Sequence, residues 1–126
     1  MFVVSTKPTF TAPVVFNLPG DNGRPQKCKF TAVFHWLDRP TVENLMERIA
    51  ERRKALLEDP NATAMNDRDV VDEVLAGFGP DLVEEDRTPM EFTPANVDRL
   101  CAIVGVQAAI VTSFFDNFFV KAPVKN

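Results

Sequence analysis

Two segments of strict alternation, facing each other across a run of turn residues, constrain the fold of this chain more than any other feature. Phe10, Ala12, Val14, Phe16 and Leu18 alternate with Thr9, Thr11, Pro13, Val15 and Asn17, which is the period of a half-buried strand. From Lys27 to Leu37 the pattern resumes, with Cys28, Phe30, Ala32, Phe34 and Trp36 on one face and Lys27, Lys29, Thr31, Val33 and His35 on the other. Pro19, Gly20, Asp21, Asn22, Gly23 and Pro25 lie between them, and these are the residues that reverse a chain. The reading is a long-looped β-hairpin. Pro13 has no N–H for a ladder, so its strand lies at a sheet edge or has its non-bonding side outward there. Two strands alone are marginal in water, so an isolated hairpin of this kind needs helices or other subunits over its aromatic face.

The remainder reads as helical. Pro40 ends the second strand, and Thr41 suits the N-cap of a helix running to Leu57 or Glu58. Val42, Leu45, Met46, Ile49, Ala50, Leu56 and Leu57 form its apolar stripe, opposite a solvated face of mixed charge that includes Glu51 and Lys54. Asp59, Pro60 and Asn61 close it. Asn66 or Asp67 can cap a shorter helix carrying Val70, Val71, Val74 and Leu75, with Gly77 and Gly79 as its terminators. An acidic connection without a period follows, and then Thr93 and Pro94 make a strong helix start. That helix is expected to reach Val104 and to bury Val97, Leu100, Cys101 and Val104, with Gly105 permitting a bend before a final helix to about Val120. The fold class expected is α+β, an N-terminal β-hairpin packed on a small bundle of about four α-helices, in one domain over residues 1–126.

The final helix carries an apolar surplus. At about 100° per residue, Ile103, Ala108, Ile110, Val111, Phe114, Phe115, Phe118 and Phe119 spread over roughly half its circumference. A helix lying on one layer of core needs a narrower stripe. Either the whole arc is wrapped by hairpin and helices, or its outer part meets a subunit or a client. Ile110 and Phe114 head the inner side, and Phe115 and Phe119 head the outer one. The candidate protein-binding residues are Phe115, Phe119, Phe118 and Val111 of this helix, with Phe78 ahead of the acidic connection.

Composition narrows the function classes. Eleven Phe and one Trp with no Tyr give an aromatic surface without hydroxyls, which suits burial more than polar recognition. A net charge of -4 argues against a nucleic-acid partner, which needs a concentrated basic surface. Cys28 and Cys101 lie far apart without a CxxC or Cys/His cluster, so they are read as buried thiols with no zinc or disulfide framework. The N-terminal stretch lacks a basic lead and a continuous apolar run, and nothing approaches the roughly 18 apolar residues needed to span a bilayer. A cytoplasmic location without membrane attachment is expected. His35 has no nucleophile near it in sequence and reads as a structural or surface histidine. The acids Asp67, Asp69, Asp72 and Glu73 lack the glycine and terminal Glu of a calcium loop, and no phosphate-cradling glycine loop is present. No catalytic, cofactor or metal residue is indicated, and the chain reads as a binding protein without enzymatic activity.

The stretch from Glu73 to Phe118, EVLAGFGPDLVEEDRTPMEFTPANVDRLCAIVGVQAAIVTSFFDNF, resembles the C-terminal half of the tail assembly chaperones of long-tailed bacteriophages and prophages. The shared features are the glycine-aromatic turn at Gly77 and Phe78, the acidic loop at Glu84 to Asp86, the helix start at Phe92, Thr93 and Pro94, and the aromatic helix with Phe114, Phe115 and Phe118. The preceding hairpin and amphipathic helix match by pattern. Many relatives carry Trp where Phe78 stands and a glycine in the acidic loop where Arg87 or Thr88 stands. The resemblance implies a chaperone that coats and solubilises the tape measure protein, helps recruit tail tube subunits, works as a homo-oligomer in the host cytoplasm and is absent from the finished virion. It also implies that a longer frameshifted product often exists, its extension beginning in the tail from Lys121 to Asn126. A structural minor tail or tail completion protein retained in the virion is the alternative.

Overall fold

The computed structural model describes residues 9–59 and 68–119. The alternating segments form β1 (Thr9–Pro19) and β2 (Pro25–His35), paired antiparallel in continuous register from Thr9 opposite His35 to Pro19 opposite Pro25. In the connecting turn Asn22 and Gly23 take left-handed backbone, at φ 60° and 73°, which Asn and Gly adopt most readily.

The hairpin is not isolated. A third strand, β3 (Leu75–Phe78), pairs antiparallel with β2, in the order β1-β2-β3 with an irregularity between Val33 and Phe34. The apolar run Val70, Val71, Val74, Leu75 is therefore divided: α2 (Arg68–Val74) ends there and Leu75 begins the strand. Gly77 lies inside β3, and neither it nor Gly79 terminates a helix. Asn66 and Asp67, and the closing residues Pro60 and Asn61, fall outside the described residues.

β1 is an edge strand, as Pro13 requires. Pro13 stands opposite Thr31, and both Thr31 backbone groups turn away toward the other side of the sheet. The Thr31 carbonyl accepts from Gly79 N at 2.7 Å, and its N–H donates to Asp81 Oδ1 at 2.9 Å. The Thr31 hydroxyl donates to Asp81 Oδ2 at 2.9 Å. Gly79 and the Asp81 carboxylate thus prolong the β2 ladder past the end of β3. A Cβ at Gly79 would stand 2.8 Å from Thr31 Cβ and 3.0 Å from Thr31 O, so only glycine permits this approach.

The helices cover one face of the sheet. α1 (Arg39–Glu58) is capped by Asp38, whose carboxylate accepts from Thr41 N, with Pro40 in the first turn. The cap lies three residues before the expected Thr41, because proline is tolerated at the start of a helix where its missing N–H has no partner to lose. Only Val42 and Leu45 of the α1 stripe are buried, while Met46, Leu56 and Leu57 are exposed. α3 (Pro94–Cys101) starts as expected, with the Thr93 hydroxyl accepting from Asn96 N at 3.1 Å. It ends at Cys101, earlier than the sequence suggests, and Val104 is 90% exposed. Gly105 then adopts φ 91° and opens α4 (Val106–Phe118) at 104° to α3. This left-handed elbow turns Ile103 and Val104 outward. No single described helix is long and apolar enough to cross a membrane.

The core joins Val14, Phe30, Ala32 and Phe34 of the hairpin to Leu45 of α1, Val70, Val71 and Val74 of α2, Val97 and Leu100 of α3, and Val106, Ile110 and Phe114 of α4. Three further expectations of burial fail. Trp36 is 53% exposed because β2 stops at His35, and Cys28 and Cys101 are each only partly buried. Burial nevertheless raises the Cys101 pKa, keeping its sulfur in the thiol form.

Candidate protein-binding surface

α4 is positioned by the elbow at Gly105, by apolar packing beneath the hairpin and by one polar anchor. The inward residues Val106, Ile110, Ser113 and Phe114 are buried. The Ser113 hydroxyl donates to the carbonyl of Pro13 at 2.6 Å, holding the helix against the β1 edge. Ser113 lies within an arc of apolar residues, and periodicity alone gave no signal of its role. Ala108 and Ile103, placed on the arc by periodicity, are exposed. Ile103 precedes the helix altogether.

From Ser113 onward the aromatic rings form a gradient from core to surface. Phe114 is fully buried and meets Phe34 edge-on at 5.5 Å and Phe10 at 6.0 Å. Phe118 stacks on Phe114 at 5.2 Å and reaches Phe10 at 6.1 Å. Phe115 stands edge-on to Phe114 at 5.2 Å and lies parallel to Phe119 at 6.2 Å. Val111, Phe115 and Phe118 are half-buried against the core, and Phe119 is 44% exposed. Of the two residues expected to head the outer side, Phe119 therefore lies open and Phe115 bridges it to the core.

Phe118 and Phe119 line one wall of a groove of about 390 Å³ whose other residues are Leu37, Arg39, Val42, Glu43 and Met46. Leu37 and the first turns of α1 were not singled out by sequence. Met46 belongs to the apolar stripe of α1 by period, but its 48% exposure makes it a surface residue beside Phe119. An open apolar groove with a flexible Met and stacked aromatic rings is suited to apolar side chains of a protein partner.

Phe78 belongs to a different part of the surface. Half-buried in β3, it packs edge-on against Phe92 at 5.1 Å, and Phe92 is 44% exposed. Among the described residues no ring contact joins Phe78 to α4.

The acidic connection is held in place by local bonds. Glu84 receives both guanidinium ends of Arg99, at 2.9 and 3.0 Å, and this partner holds its carboxyl below the usual range. Asp86 accepts from Thr88 N and Oγ1, which lowers its pKa as well. Arg87 between them takes φ 67°, a left-handed conformation that residues other than glycine seldom adopt. Arg68 reaches Asp72 at 2.8 Å and Asp98 at 2.6 Å, tying α2 to α3. These acids hold structure together. Among the described residues no group of His, Cys, Asp or Glu is arranged to hold a metal ion, and His35 is exposed at the end of β2.

A family model described as phage tail assembly chaperone matches residues 1–126, the whole chain. No curated protein and no solved structure gives a significant match.

Proposed function

The chain belongs to the phage tail assembly chaperone family, and we propose that within it the protein keeps the tape measure protein soluble and helps bring tail tube subunits to it. Membership implies a role in assembly without catalysis. The observation that carries the finer reading is the aromatic gradient of α4, which ends in Phe119 at 44% exposure beside an apolar groove shared with Met46 and Leu37. A folded domain gains nothing in stability from leaving the Phe119 ring in water. A helix with an apolar stripe can place side chains in such a groove, and weak contacts repeated along one client gain through effective concentration. Val111, Phe115, Phe118 and Phe119 form the proposed client face, with Phe78 and its neighbour Phe92 as a second contact. The protein acts in the host cytoplasm as a homo-oligomer and leaves before the virion is complete. A longer product made by frameshifting near the end of this reading frame belongs to this reading.

Co-expression with the neighbouring tape measure protein tests the reading. The client is expected to move from the insoluble to the soluble fraction, and no gain in solubility while this protein is itself folded overturns the proposal. Mass spectrometry of purified particles is expected to miss this chain. Its stoichiometric presence there would identify a structural tail subunit instead.

A further inference from the structure

α1 carries a second face that the body of the protein leaves uncovered. Arg39, Glu43, Met46, Ala50, Arg53 and Leu57 recur at alternating intervals of four and three residues, the spacing of a coiled-coil seam. All six are exposed, Met46 by 48% and Leu57 by 86%. They run along the full twenty residues of the helix, about 30 Å. The inner face, with Val42 and Leu45 buried and Ile49 packed on the core, is a separate stripe.

The seam is complementary to itself when reversed. Placed antiparallel about a two-fold axis near residue 48, Met46 meets Ala50 of the other copy, and the small Ala50 allows close approach of the two helices. Glu43 then meets the other copy's Arg53, twice across the axis. Among the described residues neither Glu43 nor Arg53 makes an ion pair within its own chain. Leu57 falls opposite Arg39, over the groove lined by Leu37, Met46, Phe118 and Phe119. Each copy thus supplies one apolar knob and one apolar socket, as an isologous contact demands.

We propose that α1 pairs antiparallel with α1 of a second copy of this chain, Leu57 of each entering the Phe118–Phe119 groove of the other and Glu43 facing Arg53. The inference rests on the proposed function in taking the working protein to be an oligomer. It assigns the self-contact of the client-free protein, in which Leu57 of the second copy fills the groove until a client's apolar stripe displaces it.

Sedimentation equilibrium of the full chain, without any client, tests the pairing. Leu57→Ser is expected to abolish dimer formation with an unchanged circular dichroism spectrum. Glu43→Arg and Arg53→Glu, each placing two like-charge pairs across the axis, are each expected to weaken the dimer about tenfold. The double variant E43R/R53E is expected to regain wild-type association to within about twofold. A wild-type monomer at all concentrations overturns the proposal, and so does a double variant as weak as either single one. If Leu57→Ser leaves self-association intact but weakens capture of the tape measure protein, the seam belongs to the client and the pairing is wrong. Client solubilisation by a protein that is monomeric before the client is added refutes this pairing alone, and a Leu57-dependent dimer that solubilises no tail protein refutes the proposed function alone.

Discussion

The hydroxyl of Ser113 closes a 2.6 Å hydrogen bond on the carbonyl of Pro13, across 100 positions of sequence. Ser113 is 6% exposed although Pro13 itself lies at the surface, and removing the hydroxyl takes away the carbonyl's partner in the protein. Ser113→Ala is expected to lower unfolding free energy by about 1–3 kcal/mol, measured by urea titration. An unchanged midpoint would mean that water reaches the Pro13 carbonyl in the variant.

Gly79→Ala is expected to cost about 1–3 kcal/mol, because the new methyl meets Thr31 Cβ at 2.8 Å and the Thr31 carbonyl at 3.0 Å. The loss should be accompanied by faster amide exchange at Thr31 and Gly79. Destabilisation without that local signature would place the strain elsewhere.

Acid should unfold the protein through its tethered carboxylates. Asp81 is held below the usual range chiefly by the Thr31 N–H, Glu84 by Arg99, and Asp86 by the Thr88 hydroxyl. A pKa depressed on folding adds stability above the unfolded value and loses it as pH falls through the folded one. Stability is therefore expected to hold down to about pH 5 and to decline below about pH 4. Asp81→Asn should flatten part of that decline, and an identical acid slope in the variant would contradict the assignment.

The aromatic gradient predicts unequal costs along one helix. Phe114→Ala should lose about 3–5 kcal/mol, whereas Phe119→Ser should change stability by less than about 1 kcal/mol. Phe115→Ser should lie between them. Thermal unfolding of the three variants ranks them, and a Phe119 variant as damaged as the Phe114 one would return its ring to the core.

Arg87→Gly is expected to stabilise by up to about 1 kcal/mol. Holding an L-residue at φ 67° costs about 1–2 kcal/mol, and glycine's greater freedom in the unfolded chain offsets part of that gain. A lower melting temperature in the variant would show that the Arg87 side chain contributes contacts of its own.

Sequence carried the fold where local periodicity and tertiary burial agree. The hairpin, its edge strand at Pro13 and the Thr93 cap are all such cases. Sequence failed where a short element borrows its pattern from a neighbour. Leu75 continues the apolar series of α2, and four residues are too few for strand alternation to displace that reading. Val104 looked like core until Gly105, in left-handed backbone, broke the helix before it. Met46 and Leu57 fit the α1 stripe perfectly well by period, yet periodicity reports that a face is apolar and says nothing about what covers it. The Phe118–Phe119 groove arises because Leu37 and the first turns of α1 come to the end of α4, a long-range juxtaposition with no local trace.

The prolines of β1 bear on how such a protein can expose aromatic rings without harm. Pro13 and Pro19 share the parity that faces away from β2, so neither has an amide to offer an incoming strand, and the Pro13 carbonyl is already taken by Ser113. Between them only Val15 and Asn17 present both backbone groups on that side, too short a template for a fourth strand to grow. Adhesion is left to side chains, whose contacts dissociate readily, while the backbone that would propagate a fibril is blunted at its margin.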